Sequence, residues 1–412
     1  MTSPASAAAA RAAARPGAAL VALSLAALAS GLSMRVADPL LPRLAREFAV
    51  SLGEAAQVIT VFAVAYGVAQ LLFGPLGDRY GKLRVIATAC AASALAAVAC
   101  ALAPGHAALM AARFAAGVAA AAVIPLAMAW IGDVVPFEQR QPVLARFLIG
   151  QITGFAAGVW LGGWAADHWD WRTPFWLIAA TFAGVGAVLE VVRRRQPPHT
   201  GPATIGSGGA LQRLHGEFRA VLARPWARAV LATVLFEGAV VYGPFAFVTA
   251  HLHQRHGLPL AQAGALVMGF AAGGLVFAFG AQALVRRLGP TQLVAGGATL
   301  MALALATVAH APGWHWAVPA CVAMGLGFYM LHNTLQTQAT QMAPERRGAA
   351  VAAFAACFFL GQSLGVAAAG VLVGRLGTAG VLSLGALGVL AVAGVFARVH
   401  GRTGPQPATQ RV

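Results

Sequence analysis

Charged side chains are scarce in this sequence. Asp, Glu, Lys and Arg make up 10% of its 412 residues, whereas a soluble globular domain carries about 25%. Only 12 residues are acidic, while 59% are hydrophobic. So few charges cannot cover the surface of a soluble chain this long, which excludes a water-exposed enzyme or binding module. The composition predicts an all-α polytopic membrane protein.

Lysine and cysteine are almost missing as well. Lys82 is the only lysine, and the four cysteines all lie in apolar stretches. Such cysteines are typical of packed core positions and argue against a disulfide framework. There is also no nucleotide-binding loop and no nucleophile–base constellation. We therefore expect no enzymatic activity, no cofactor and no metal site.

Twelve apolar runs are long enough to cross a bilayer, which takes about 20 residues. We number them span 1 to span 12, and they cover residues 17–39, 53–73, 84–103, 107–131, 143–165, 174–192, 229–250, 262–284, 291–310, 313–336, 349–372 and 379–397. The longest connection separates six spans from six. The expected organisation is an N-terminal six-helix bundle over 1–192, a linker over 193–228 and a C-terminal six-helix bundle over 229–412.

The linker contains a short amphipathic pattern. Apolar residues recur every three or four positions between 211 and 222, with arginines on the opposite face. This pattern indicates a basic helix lying on the membrane surface. A partly ordered linker is the alternative.

The basic residues are distributed unevenly between the two sides of the membrane. With the N-terminus in the cytoplasm, 21 of the 28 basic residues fall on the cytoplasmic side and five on the other. This asymmetry predicts cytoplasmic termini and a multi-pass protein of a bacterial-type inner (plasma) membrane. It also explains the net charge of +16 without a nucleic-acid partner.

Corresponding loops in the two halves are alike. The loop between spans 2 and 3 reads Gly74-Pro-Leu-Gly-Asp78-Arg79-Tyr-Gly81-Lys82-Leu-Arg84, and the loop between spans 8 and 9 reads Gln282-Ala-Leu-Val-Arg286-Arg287-Leu-Gly289. Aligned on the final glycine, Arg79 meets Arg287. Such a repeat predicts two pseudo-symmetric bundles around a central pathway.

The first of these loops is similar to the signature loop of the major facilitator superfamily, which also lies between helices 2 and 3. Further resemblances to this superfamily are Arg113-x-x-x-Gly117 in span 4, Pro344-x-x-Arg347-Gly348 before span 11, Gly361-Gln362-x-x-Gly365 within span 11, and Asp38-Pro-Leu-Leu-Pro42, which resembles an element of the drug–proton antiporter branch. The resemblance implies twelve transmembrane helices in two six-helix bundles. It also implies a monomeric transporter of a small molecule.

The loop between spans 2 and 3 has the character of a latch. Its glycines permit tight turns, and its acid can interact with a helix N-terminus or pair with a base from the other half. The residues expected to form this gate are Gly74, Asp78, Arg79, Gly81, Lys82, Arg84 and, at the end of span 4, Asp133. A merely positive-inside loop is the alternative.

Ionisable residues within spans are functional candidates because burying a charge in a membrane is costly. Asp38 and Glu237 are the candidate proton carriers, and Arg113 is the candidate for coupling. A structural pair between Arg35 and Asp38 is the alternative for Asp38. A neutral acid bonded to a neighbouring helix is the alternative for Glu237.

Other polar residues within spans are candidates for lining a substrate cavity, since amides in lipid need partners. They are Arg35, Tyr66, Gln70, Gln151, Tyr242, His332, Asn333, Gln336 and Gln362. Such aromatics and amides suit an amphipathic organic ligand. By contrast, the cluster of His251, His253 and His256 is expected to lie in a solvated loop.

Span 5 carries glycines that form a close-packing face and resemble the antiporter motif of the superfamily. They are Gly154, Gly158, Gly162 and Gly163. Val159 stands where that motif has proline. The leading hypothesis is proton-driven efflux of drugs or small metabolites. The Val159 departure keeps a proton-coupled importer as an alternative, and a non-transporting receptor is a third.

Overall fold

The computed structural model describes residues 16–194 and 210–403, and all regular structure within them is helical. The N-terminal Arg11 and Arg15, the linker residues 195–209 and the C-terminal Arg411 lie outside the described residues. The first half contains the helices Pro16–Arg35, Leu41–Glu47, Leu52–Ala55, Gln57–Tyr80, Lys82–Ala101, His106–Ala120, Val123–Val134, Phe137–His168 and Thr173–Arg194.

The second half begins with the helix Ala210–Leu222, in the segment where the sequence predicts a basic helix. After it come the helices Pro225–Phe245, Val248–His256, Leu260–Val267, Gly269–Arg287, Pro290–His310, Ala317–Gln341 and Arg347–Thr403, with short 3-10 turns at Trp314–Trp316 and Pro344–Arg346.

Several membrane spans each consist of two consecutive helices. Within the described residues, eleven stretches are long and apolar enough to cross a membrane, and the last of them, Pro344–His400, has 57 residues. At 1.5 Å per residue it would extend about 85 Å, nearly three times the hydrocarbon thickness. Gly377 interrupts it with a φ of 68°, which glycine adopts without steric cost. The break divides this stretch into spans 11 and 12, and the prediction of twelve spans is confirmed.

The described chain separates into two compact units. Unit 1 holds spans 1 to 6 together with Pro259–Ala265, and unit 2 holds the remainder from 210 onward. Within unit 1, span 1 packs on span 5, span 2 on span 4, and span 3 on spans 4 and 6. Within unit 2, span 7 packs on the stretch that holds spans 11 and 12, span 8 on span 10, and span 9 on span 10 and that same stretch. Adding six to each span number relates one pattern to the other, as expected for an internal repeat.

A seam of glycines joins spans 1 and 5 in unit 1. A Cβ atom at Gly154 would collide with the backbone of Leu28, and one at Gly158 with the backbone of Leu32. Gly162 is equally close to the carbonyl of Val36. The two backbones touch because no side chain separates them, which is how small residues promote packing between membrane helices.

Unit 2 repeats this seam between spans 7 and 11. Cβ atoms at Gly361 and Gly365 would meet the backbones of Leu235 and Ala239 in span 7. A Cβ atom at Gly238 of span 7 would likewise collide with the carbonyl oxygen of Phe358. The Gly-Gln-x-x-Gly stretch of span 11 therefore has a packing role corresponding to that of the span 5 glycines.

The seam predicts that Gly154→Ala destabilises the protein. The methyl group would press on main-chain atoms that cannot rotate away, so we expect a loss of about 1–3 kcal/mol. The measurement is the fraction of purified protein that stays monodisperse after heating in detergent. Gly184→Ala in span 6 is the matched control, since open space surrounds that position. An equal melting temperature for both variants would contradict close backbone packing at Gly154.

Candidate functional site

Among the described residues, four Asp, Glu, Lys or Arg side chains are buried within or at the ends of the spans: Arg35, Asp38, Arg113 and Glu237 are each no more than 3% exposed. Burying a charge in a membrane costs several kcal/mol unless it is paired or hydrogen-bonded. Such side chains are therefore candidates for a functional site. Three of them form a span 1 cluster, defined as Arg35, Asp38 and Arg113, in unit 1. Glu237 lies in unit 2 and pairs with His332.

The end of span 1 positions the first ion pair. The helix Pro16–Arg35 stops at Arg35, and the chain turns through 36–40, which places Asp38 beside Arg35. Arg35 Nη1 lies 3.3 Å from Asp38 Oδ2, and its guanidinium also lies over the ring of Phe155 in span 5. The other carboxylate oxygen, Asp38 Oδ1, is buried without a hydrogen-bond partner among the described residues. Pairing with Arg35 therefore satisfies only half of this carboxylate.

Arg113 completes the cluster and connects three spans. Its Nη1 donates to the carbonyl of Ser33 in span 1 at 2.8 Å, and its Nε donates to the carbonyl of Val58 at the start of span 2 at 3.3 Å. The guanidinium lies 4.1 Å from the ring centre of Phe62, a cation–π arrangement. Its Nη2 is buried and lacks a partner among the described residues. With all three groups ionised, the cluster carries one uncompensated positive charge.

In unit 2 a histidine and a glutamate share a buried hydrogen bond. His332 Nδ1 lies 3.2 and 3.1 Å from the two carboxylate oxygens of Glu237. The Glu237 side chain is wholly buried, whereas 16% of the His332 side chain is exposed. His332 is therefore the member of the pair that reaches the accessible surface.

Aromatic rings surround this pair. The imidazole of His332 stacks on Phe328, with ring centres 5.0 Å apart, and lies against Phe354 and Phe358 of span 11. Phe328 and Phe358 also make edge contacts with Tyr242 of span 7. These phenylalanines were absent from the sequence prediction. Only Phe328 carried a readable signal, four positions before His332 on the same helix face.

The remaining cavity candidates differ in burial. Tyr66, Gln70, Tyr242 and Gln362 are buried, and Gln70 Nε2 and Gln362 Oε1 lack partners among the described residues. Gln151 is half-buried, whereas Asn333 and Gln336 are exposed on one face of span 10. The structure thus brings His332 and Glu237 into contact, and it places Asp38 and Glu237, the two predicted carriers, in separate units.

The loop between spans 2 and 3 is organised around Lys82. Its Nζ lies 2.6 Å from Asp133 Oδ2 at the end of span 4 and 3.4 Å from Asp78 Oδ1 one turn earlier. Gly81 makes the turn with a φ of 88°. The guanidinium of Arg79 lies over the neighbouring Tyr80 ring. The single lysine of the chain therefore connects spans 2, 3 and 4.

The other predicted members of the gate lie around this ion pair. Gly74 has open space around it, and Arg84 is exposed at the start of span 3. Arg140 donates to the carbonyls of Gly132 and Val135 and so closes the end of the span 4 helix next to Asp133.

The expectation of a solvated histidine loop was wrong for His251. This residue is 2% exposed, because the helix Val248–His256 continues span 7 instead of forming a loop. Its Nε2 donates to the carbonyl of Val308, 3.0 Å away, so Nδ1 accepts from the hydroxyl of Thr378 at 2.9 Å. His251 thus fastens span 9 and the start of span 12 to span 7. The sequence alone offered no sign of those partners.

The comparison with known families agrees with this architecture. The family model described as the Major Facilitator Superfamily matches residues 23–366. That segment covers most of the chain, and the chain belongs to this superfamily.

Individual relatives are more distant. YceJ of Bacillus subtilis (strain 168), an uncharacterized MFS-type transporter, is 24% identical over 343 residues, which cover 81% of this chain and 84% of YceJ. YwfA of the same organism, also an uncharacterized MFS-type transporter, is 26% identical over 60% of this chain and 59% of its own length. The multidrug export protein EmrB of Escherichia coli (strain K12) is 29% identical over 177 residues, or 43% of this chain and 35% of EmrB. The match thus spans less than two thirds of YwfA and of EmrB.

Solved structures share the fold at low identity. The nucleoside transporter NupG superposes with a TM-score of 0.73 at 14% identity, covering 92% of this chain and 98% of NupG. A bacterial homolog of the human lysosomal transporter Spinster, in an inward-facing and unoccupied conformation, gives 0.71 at 17% identity, covering 94% of this chain and 96% of that one. These likenesses confirm a membrane fold of twelve helices in two six-helix bundles.

The geometry around Lys82 predicts a measurable interaction with Asp133. Both carboxylates facing Lys82 are more than half exposed, and ion pairs in such surroundings contribute about 0.2–1 kcal/mol. A double-mutant cycle with Lys82→Met and Asp133→Asn, read as thermal stability in detergent, should give a coupling of that size that weakens with added salt. Lys82→Met combined with Glu47→Gln, an acid of unit 1 that pairs with Arg43 and Arg172, should give strictly additive effects. No coupling between Lys82 and Asp133 at low salt would contradict the ion pair.

Proposed function

We propose that this protein is a secondary active transporter that exports drugs or small organic metabolites in exchange for protons, by alternating access. The observation that carries the proposal is the buried pair of Glu237 and His332. A wholly buried carboxylate whose hydrogen-bond partner is a partly exposed histidine is a group that can take up and release a proton.

The hydrogen bond of this pair accommodates both protonation states. When Glu237 is ionised, His332 Nδ1–H donates to the carboxylate. When the carboxyl group is protonated, its O–H donates to Nδ1 of the neutral imidazole. A proton thus reaches the buried acid through the histidine without leaving either group unpaired. Adding or removing one proton changes the charge inside unit 2, and such a change shifts the balance between two conformations.

The neighbouring face of span 10 supplies the expected substrate contacts. Asn333 and Gln336 are exposed beside His332, and an amide exposed to lipid would leave its hydrogen-bonding groups unsatisfied. We therefore assign this face to a water-filled cavity. Together with Tyr242 and the phenylalanine rings around His332, it suits an amphipathic organic molecule carrying an aromatic or apolar body.

The span 1 cluster is the second proposed coupling element. Arg113 holds spans 1, 2 and 4 together next to the half-paired Asp38. Protonation of Asp38 would release Arg35 and raise the net charge of the cluster, which changes the forces acting on the turn after span 1. The ion pair of Lys82 and Asp133 is proposed to act as the gate at the other end of unit 1.

Direction and location are part of the same proposal. Relatives described as exporters, including EmrB, support efflux. The excess of basic residues in the loops on one side supports cytoplasmic termini in a bacterial plasma membrane, and we expect the single chain to be the functional unit. The competing function is a proton-coupled importer. One observation favours it: span 5 runs as an unbroken helix from Phe137 to His168 through Val159, where the antiporter motif has a proline.

The decisive test is Glu237→Gln. Everted membrane vesicles are energised with a pH gradient, and accumulation of a panel of fluorescent cationic dyes is recorded. We expect gradient-driven accumulation to fall to the level of vesicles without the protein, since the amide cannot carry a proton. Dye binding to the purified variant should persist. Glu190→Gln is the matched control, because that acid is paired locally with Arg193 and Arg194 at the end of span 6.

The outcomes separate the candidates. Full gradient-driven transport by Glu237→Gln would refute the proton role of this pair. Substrate leaving the everted vesicles as the proton gradient is applied would favour the importer. A chain that binds dyes yet shows no flux in either direction would be a receptor.

Asp38→Asn tests the second element separately. The amide keeps the shape of the carboxylate but removes its negative charge, which leaves Arg35 and Arg113 as two buried, uncompensated positive charges. We expect both lower thermal stability and loss of gradient-driven transport. If the variant Arg35→Gln/Asp38→Asn regains stability but not transport, Asp38 has a coupling role beyond structure. Recovery of transport in this double variant would reduce Asp38 to a structural partner of Arg35.

A further inference from the structure

A groove on the surface of unit 1 lies outside the buried clusters of ionisable residues described above. It runs between spans 2, 3 and 4 and encloses about 900 Å³. Its walls are almost entirely apolar, and several of their large side chains are exposed, among them Leu95 at 72% and Phe114 at 48%. Exposed apolar side chains on a membrane span are suited to contact with lipid tails, which favours an opening of this groove toward the bilayer.

Three helix faces shape the groove. Span 3 provides Ala89, Ala92 and Ala96, whose spacing of three and four residues places their methyl groups on one face as a floor. Large side chains from spans 2 and 4, such as Phe73 and Phe114, form the walls. The alanines make the surface concave, so a chain-like apolar molecule fits between the walls.

The groove is as deep as one leaflet of the membrane. From Arg84 to Ala96 the helix of span 3 rises about 18 Å, and half of the hydrocarbon core is about 15 Å thick. Its only charged lining residue, Arg84, lies at the end next to the loop between spans 2 and 3, together with Tyr80. This polarity, charged at the membrane surface and apolar toward the middle, is that of a phospholipid.

The charge at the mouth of the groove is positive. Lys82 is engaged by Asp78 and Asp133. Arg79 and Arg84 are exposed, and neither forms an ion pair with a carboxylate among the side chains that the structure describes. Two basic groups without a carboxylate partner thus lie where the headgroup of a lipid would reside. Basic pockets at this depth between membrane helices suit anionic headgroups.

We propose that this groove binds one anionic phospholipid from the leaflet on the side of the loop between spans 2 and 3. One acyl chain lies on the alanine floor of span 3. The phosphate is held by the guanidinium of Arg84, with Arg79 and the hydroxyl of Tyr80 beside it. The site shares Arg79 and Arg84 with the loop of the predicted gate, but lipid retention can be measured without transport and does not depend on it.

The test is native mass spectrometry of the full-length protein in detergent, titrated with phosphatidylglycerol or with phosphatidylcholine of identical acyl chains. We expect one molecule of phosphatidylglycerol to be retained more tightly than phosphatidylcholine. Arg84→Gln should weaken that preference about fivefold, since one basic residue near a membrane surface contributes about 1 kcal/mol to anionic lipid binding. Ala92→Phe, which fills the floor of the groove, should reduce retention of both lipids at this site.

Two variants serve as matched controls. Arg286→Gln removes an exposed arginine from the corresponding loop of unit 2, and Ala99→Phe enlarges an exposed alanine of span 3 outside the groove. Neither should change lipid retention. Addition of inorganic phosphate should leave the bound lipid in place, because the acyl chain contributes to binding. Equal retention of the two lipids by the unchanged protein would overturn the proposal. So would undiminished phosphatidylglycerol binding by both Arg84→Gln and Ala92→Phe.

Discussion

Backbone contact between two pairs of membrane helices underlies the rest of this structure. Span 5 touches span 1 through Gly154 and Gly158, and span 11 touches span 7 through Gly361 and Gly365. In a bilayer, helices gain little from the hydrophobic effect, because lipid is as apolar as their side chains. Close van der Waals packing must hold them together instead. Spans 1 and 7 are the helices that lead to Asp38 and Glu237, so the same seams fix both buried acids.

The packing of those helices determines where the buried charged side chains lie. Each unit places an acid at span 1 or span 7 and a basic or titratable side chain on span 4 or span 10, and in unit 2 the two are directly bonded. The chemistry is different in each case. Arg113 is held by main-chain carbonyls, whereas His332 is bonded to a carboxylate and enclosed by aromatic rings. The internal repeat therefore preserves the scaffold, while the buried ionisable groups differ between the two units.

Sequence patterns predicted the fold well because membrane insertion imposes simple rules. The length of each apolar run and the placement of arginines can be read directly along the chain, and these two features predict the twelve spans. The break at Gly377 follows from the same rule, because a single helix of 57 residues is too long to fit in a bilayer. The site was harder. His332 was recognised as polar and intramembrane, but its bond to Glu237 joins residues 95 positions apart, and no periodicity encodes such a contact.

The sequence by itself determined the membrane class, the span count and the loop that resembles a superfamily signature, because these depend on composition and on spacing along one chain. Tertiary structure alone decided which partners meet. His251, which was expected in a loop, forms hydrogen bonds with Val308 and Thr378. His332 lies against the rings of Phe354 and Phe358. The physical reason is that helix packing rotates each span to a particular face. That rotation follows from steric fit between distant segments and not from the residues of either segment alone.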